Sequence, residues 1–308
     1  MRAVVQNDKS RASGGARIGL AVLALAAIAS GCAQGGGSDR VTPAGGQQPL
    51  DAPPARALDS YASKLRAAHA ARVAATHRWE LKRVPLPAPP PPERKPRIKT
   101  RKGFQVAGHR ESNLPPVFTR IPTRDKVVFL TIDDGAEKDR TFLRMMSDLD
   151  VPYTAFLSGY LVKDDPRYFK KMQARGVVLN NHTLFHRYMP GLSYRAQKRE
   201  ICGMQRYMEK RFGKRPTLFR PPYGSYDRAT LRAAKACGIT HVPLWNEEVF
   251  ADRWEYREGD RELRPGDIVL THFRGPEQWK GTMPDMIRRF LNKVTAEGYA
   301  VGRLEDYL

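Results

Sequence analysis

Apolar residues are scattered through the N-terminal third of the chain and become periodic only past about Pro116. Beyond Arg120, short runs rich in β-branched and aromatic residues alternate with stretches whose apolar positions recur at helical spacing. The runs predict strands over 127–132, 154–157, 177–180, 217–219, 240–244, 268–271 and 299–302. The stretches between them predict helices over 139–149, 166–174, 194–212, 228–236 and 284–297. Alternation of this kind means a parallel sheet covered by helices. Seven strands suit either a small, imperfect barrel or an open doubly wound sheet, and periodicity does not separate the two.

The N-terminal third reads differently. Residues 35–54 form a Gly/Pro tether, 58–81 hold enough Ala, Arg and Leu for a helix, and 85–96 are nearly polyproline, an extended spacer. With few aromatic or β-branched residues, such a leader cannot build a core and is expected to be disordered. The 308 residues therefore divide into 1–31, a 32–119 tether and spacer, and a 120–308 domain.

Arg2, Lys9, Arg11 and Arg17 against Asp8 precede an uninterrupted apolar run over 18–29, the layout of a signal peptide too short to span a bilayer. The run ends in Ala29-Ser30-Gly31-Cys32, which resembles a bacterial lipobox and implies lipidation of Cys32 at the outer membrane surface; an ordinary cleaved signal is the alternative. In an exported chain Cys202 and Cys237 can form a disulfide, provided that the helices near them are neighbours; two small buried hydrophobes is the other reading. The formal charge of +21 includes a basic run, Arg94, Lys95, Arg97, Lys99, Arg101 and Lys102. No recognition motif points to nucleic acid, so an anionic wall polymer or membrane surface is the expected partner of this spacer, with a merely solvated linker as the alternative.

Four polar clusters sit at the ends of predicted strands, the edge of a parallel sheet that bears sites. Thr131-Ile132-Asp133-Asp134-Gly135 places two carboxylates where neighbouring side chains face opposite ways unless the chain turns, which Gly135 allows. By itself Asp-Asp-Gly is more often a turn with a helix cap than a site. His182-Thr183-Leu184-Phe185-His186 puts two imidazoles on one face of a helical turn, able to share an ion with a carboxylate such as Asp134; two exposed histidines is the alternative. In Phe219-Arg220-Pro221-Pro222-Tyr223-Gly224 consecutive prolines fix the backbone that presents Arg220 and the Tyr223 amide. Leu270-Thr271-His272 ends an apolar strand in a histidine.

Taken together and in this order, TIDDG, HTLFH, FRPPYG and LTH resemble the motifs of the NodB-homology polysaccharide deacetylases, carbohydrate esterase family 4, over roughly 120–308. The resemblance implies a distorted (β/α)7-type barrel and hydrolysis of N-acetyl groups on an amino-sugar polymer of the wall. It implies Asp133 as general base, Asp134, His182 and His186 as ligands of a divalent metal, and His272 as general acid. Zn is the expected ion, with Co, Mn or Ni as alternatives. Arg220 would orient the base, the Tyr223 amide would hold the oxyanion, Leu270 would line the acetyl pocket, and Pro222 and Trp245 would adjoin substrate. The chain departs from the pattern at Trp245-Asn246-Glu247-Glu248, where the family has an Asp; Glu248 is expected to replace it beside Arg220, with Glu247 and Asp252 as rivals. Val178 occupies a position that is often Glu in the family. An impaired, glycan-binding lipoprotein and an amidohydrolase of small cyclic amides are the competing readings of a chain expected to act as a monomer.

Overall fold

The hydrophobic run after Lys126 forms the central strand β2 (Val127–Asp134), buried along its whole length. It pairs in parallel with β3 (Thr154–Leu157) on one side and β8 (Ile268–His272) on the other. Outward from these, β3 pairs with β4 (Val178–Asn181), and β8 with β6 (Glu247–Val249), which carries the antiparallel β7 (Trp254–Tyr256). The start of β2 also holds β9 (Ala300–Val301), while β1 (Val117–Phe118) pairs with β5 (Val242–Pro243). The computed structural model describes residues 55–308, with side chains from Leu58 onward. The expected signal segment, Cys32 and the Gly/Pro tether lie outside the described residues.

Single backbone hydrogen bonds close the strands into a ring. Asn181 N donates to Leu218 O, Phe219 N to His241 O, Val242 N to Pro116 O, and Ile268 N to Thr119 O. This is the irregular barrel that the resemblance implied. The strand expected over 217–219 survives only as bridges from Phe219 to Asn181 and from Leu218 to His241. Pro216, Pro221 and Pro222 flank it and have no N–H to extend a ladder. Pro243 likewise limits the expected 240–244 strand to β5. Neither β6 nor β7 is anticipated by the sequence, because their glutamates are depleted in strands generally.

Around the ring lie α2 (Arg140–Leu149), a short α3 (Gly159–Val162), α4 (Pro166–Ala174), α5 (Tyr194–Phe212), α6 (Arg228–Ala236) and α7 (Met283–Ala296). Asp139, Asp165, Ser193, Asp227 and Thr282 accept from the first free amides of α2, α4, α5, α6 and α7, respectively, which fixes where each begins. The helices that carry Cys202 and cap at Cys237 are neighbours, and the two sulfurs are bonded.

Alternation along β2 sorts its residues. Val128, Leu130 and Ile132 face outward into a core shared with Phe142, Met145, Ile287 and Phe290 of the helices. Val127 and Phe129 face inward with Phe156, Ile268, Leu304 and Tyr307. Burying each such side chain contributes about 1.5–3 kcal/mol. The inward series continues through Thr131 to Asp133, so the barrel interior turns from apolar to polar toward the C-terminal ends of the strands.

Helix α1 (Ala55–Arg78) begins and ends three residues before the expected range. From Ala62 on, the leader is not free. Arg72 and Arg78 pair with Asp150 and Asp148, Trp79 donates to Asp148, and Ala75 and Leu81 are buried in the outer core. The stretch expected as an extended spacer follows the same domain: Lys82 N donates to Asn292, Ile98 is buried in the inner core, and Arg101 bonds Thr119 and Asn246. A few apolar anchors suffice because a polyproline backbone makes no internal hydrogen bonds that docking would break. Residues 62–308 accordingly form one unit, and the part of the expected disordered leader that falls within it is ordered against the barrel.

At the base of the barrel interior the Glu305 carboxyl accepts from Thr154 and Asn180, and burial pushes it up to about 7. Its folded pKa lies above the unfolded 4.5, so its favourable contribution is complete below pH 4.5 and is lost as pH rises through about 7. Glu305→Gln is therefore expected to gain up to about 3 kcal/mol relative to the parent between pH 5 and pH 8. Urea unfolding of both proteins across that range checks it, and parallel stability curves would refute it.

Candidate active site

Asp133 closes the inward series of β2, so its carboxylate lies inside the rim, with 2 % exposure. Asp134 would by alternation point to the helices. It does not, because the turn expected at Gly135 starts one residue earlier: Asp134 has φ 80 and Gly135 φ 94. Asp134 Oδ1 then lies 3.6 Å from His182 Nε2 and 3.3 Å from His186 Nε2.

The two histidines do meet, but not on a helix. His182 follows β4 directly, and the loop bends back through Thr183 at φ 70 and His186 at φ 52. Side-chain acceptors hold that shape in place of helical hydrogen bonds: Asn181 Oδ1 takes Thr183 N, Thr183 Oγ1 takes His186 N, and the buried Glu200 takes Phe185 N. Nothing in the spacing alone distinguishes such a loop from a helical turn, since both bring positions four apart together.

Arg220 lies wholly inside the barrel. Its Nη1 donates to Asp133 Oδ1 at 2.8 Å and to Thr131 Oγ1 at 2.9 Å, and its Nε donates to Pro243 O. The guanidinium stacks 4.4 Å above the Phe156 ring, with Trp245 on another side at 5.7 Å. Its carbonyl accepts from His182 Nδ1 at 2.6 Å, which leaves Nε2 as the unprotonated nitrogen facing Asp134.

Glu248 does not sit on Arg220 as expected. Its carboxylate lies 3.2 Å from His272 Nδ1, across the β6–β8 pairing, so the residue in the variant segment acts on the histidine and Asp133 alone takes the arginine. Parallel register explains this: Glu248 is level with Leu270, near the strand end that carries His272, whereas Arg220 enters from the opposite wall. The rivals are elsewhere. Glu247 is buried beside Asp267, and Asp252 is paired with Arg253 away from the site.

Leu270 and Pro222 are buried, and Trp245 is half-buried against Gly224. Tyr223, at φ 62, is 63 % exposed with its ring 4.8 Å from His186, so it is the part of this loop that a bound molecule can reach. Arg274 is a member of the cluster that the motifs do not include. Its Nη2 donates to Asp134 Oδ2 at 2.5 Å; the cue in the sequence is its place two residues past His272, beyond the same strand end.

Burial decides the direction at three of the five titrating groups, and neighbouring charges overcome it at Asp134 and His272. It pushes Asp133 up to about 6 against the pull of Arg220 and His272. It lowers His182 and His186 to about 4, so both are neutral imidazoles at neutral pH. Burial would raise Asp134, but His272, His182, His186 and Arg274 together hold it below the usual carboxylate range. Burial would lower His272, yet its hydrogen bond to Glu248 and the Asp134 charge raise it.

The donor set fits a divalent cation. Asp134 Oδ1 is buried without a hydrogen-bond partner, although buried polar atoms are almost always paired. One carboxylate oxygen and two imidazole nitrogens, all within 4.8 Å of one another, form a facial set suited to Zn and to other first-row ions.

A sequence model of the polysaccharide deacetylase family matches residues 120–242. The chain is 42 % identical over 200 residues to an uncharacterized protein of Streptomyces coelicolor, covering 65 % of this chain and 80 % of that one. It is 28 % identical over 199 residues to a peptidoglycan-N-acetylglucosamine deacetylase of Bacillus cereus, covering 61 % of this chain and 91 % of that enzyme. Among solved structures, a CE4 family pseudoenzyme from Bacillus anthracis superposes with a TM-score of 0.54 at 24 % identity, over 63 % of this chain and 69 % of that one.

The Arg220–Asp133 pair has a testable signature. Arg220→Met leaves a buried carboxylate without its partner and is expected to lower stability by about 3–5 kcal/mol. Adding Asp133→Asn removes the stranded charge and should restore more than half of that loss. Chemical unfolding of the two single variants and the double gives the coupling; additive effects would show that the pair is not coupled.

Proposed function

We propose that this chain, which belongs to the polysaccharide deacetylase family, hydrolyses N-acetyl groups from N-acetylglucosamine or N-acetylmuramic acid units of peptidoglycan or a related wall glycan, releasing acetate. The observation that carries this reading is the meeting of Asp133, Asp134, His182 and His186 at one rim of the barrel, with His272 beside them.

Asp134, His182 and His186 would hold the metal, with Zn favoured by the mixed nitrogen and oxygen donors and Co, Mn or Ni as substitutes. A divalent ion held there would supply Lewis-acid polarisation of an acetyl carbonyl and a lowered pKa for the attacking water. Asp133 Oδ2, 3.7 Å from His182 Nε2, faces this position and takes the water's proton, while Arg220 holds Oδ1 and so orients the base. His272, whose pKa is raised against its burial by the hydrogen bond to Glu248, gives a proton to the departing sugar amine. The Tyr223 amide, fixed by the two prolines before it, donates to the developing oxyanion; one such donor is typically worth about a hundredfold to a thousandfold in rate. Leu270, Pro222 and Trp245 shape the wall against which the acetyl group and its sugar lie. The chain would work as a lipoprotein held outside the membrane through Cys32.

The second reading is a glycan binder without turnover, favoured by the Glu at position 248 and by the fold likeness to a pseudoenzyme. Acetate release from N-acetylglucosamine oligomers separates the two. Zn-loaded protein is expected to release acetate and to lose the activity on chelation. Asp133→Asn should lower kcat by about a thousandfold or more while retaining Zn, whereas His182→Ala should lose Zn as well. Oligomer binding with no acetate released under Zn or Co, and with His182→Ala behaving as the parent does, would establish the binder instead.

A further inference from the structure

The basic run, for which an anionic partner or a merely solvated linker are the two readings of the sequence, has an ordered course that gives it a definite shape. Ile98 and Thr100 are buried while Arg97 and Lys99 are exposed, the alternation of an extended segment laid along a surface. Like-facing side chains in such a segment recur about every 7 Å. Arg97, Lys99 and Arg101 therefore form a row, and Arg120 faces the same groove across an apolar floor of Ile98 and Phe118. The groove has a volume of about 340 Å³, and none of the residues lining it is acidic. Glu258 lies behind it, against Arg101 and Arg120. Arg101 and Arg120 are thus partly neutralised from behind, and Arg97 and Lys99 are the exposed cations that the groove presents to a ligand.

We propose that this groove binds successive phosphate groups of a linear phosphodiester polymer. A concave channel bearing a regularly spaced row of cations fits a single anionic strand; a flat bilayer cannot enter it. The groove lies at the other end of the barrel from the catalytic rim. Arg120 pairs with Asp267, immediately before β8, while His272 ends that strand, about 16 Å further along. An occupied groove thus leaves the rim open, and the proposal does not depend on what the rim does.

The test uses the full chain and a fluorescently labelled linear poly(glycerol phosphate), titrated at several salt concentrations. Arg97→Gln with Lys99→Gln is expected to weaken binding by about tenfold and to flatten the log–log salt dependence by about 2. Both side chains are exposed, so the fold is retained. The charge-matched pair Lys198→Gln with Lys210→Gln, on exposed positions of α5, should change binding less than about twofold. Acetate release from a soluble oligosaccharide should be the same in both double variants and the parent. Equal losses in the two double variants would reduce the effect to net charge and overturn the site. Inorganic phosphate binding as tightly as the polymer, or phosphatidylglycerol vesicles binding as tightly and through the same residues, would overturn the linear polymer as occupant.

Discussion

Arg220 is a full charge with no access to solvent, in a barrel whose lower interior is phenylalanine, isoleucine and leucine. Removing a guanidinium from water costs several kcal/mol, and only a nearly complete set of partners offsets it. The barrel supplies that set from separate segments: a carboxylate and a hydroxyl from β2, a carbonyl from β5, and aromatic faces from β3 and the segment after β5. None of these partners is adjacent to Arg220 in sequence, so the charge can be buried only when the ring is closed. The same residue binds the loop after β4 through its backbone: its N–H donates to Asn181 O and its carbonyl accepts from His182. The proposed base and one proposed metal ligand are thus held by opposite ends of one amino acid.

That arrangement divides the work of the two aspartates. Each uses one oxygen for anchorage and leaves the other facing the rim. Asp133 gives Oδ1 to Arg220, and Asp134 gives Oδ2 to Arg274. Two cations on the outer oxygens keep two buried carboxylates tolerable as neighbours, and both remaining oxygens face the imidazoles. With the histidines neutral, the inner cluster presents lone pairs and negative charge only, the electrostatic setting in which a dication replaces lost water.

The sequence makes the amphipathic helices and one short apolar strand legible: 166–174, 194–212 and 228–236 coincide with α4, α5 and α6, and 154–157 with β3. Its failures have local causes. Prolines cut short the strands at 217–219 and 240–244, while the glutamates of β6 and β7 hide strands stabilised by their neighbours. In the site, residue types and order are readable, but side-chain direction is not. Alternation places Asp133 correctly and sends Asp134 the wrong way, because a positive φ on an aspartate is set by its surroundings. Four-residue spacing brings His182 and His186 together for a reason other than the helical one. Glu248 is misplaced since parallel register between β6 and β8, invisible in a single sequence, decides which of two polar neighbours it meets.

The leader shows the same limit in composition. Low apolar content correctly indicates that residues 62–119 have no core of their own, but a segment need not own a core to be ordered by one. Ala75, Leu81 and Ile98 are widely spaced, and each fills a position on a surface built by residues far along the chain. Between these anchors the prolines keep the unfolded chain already extended, so less entropy is lost on docking than for a flexible linker. Order in this strap therefore follows from the barrel. Its charges, which in a free tether would average over many directions, are held at fixed intervals along one face. Repulsion among them is the remaining cost, and Arg101 and Arg120 reduce it by sharing Glu258, whereas Arg97 and Lys99 remain exposed.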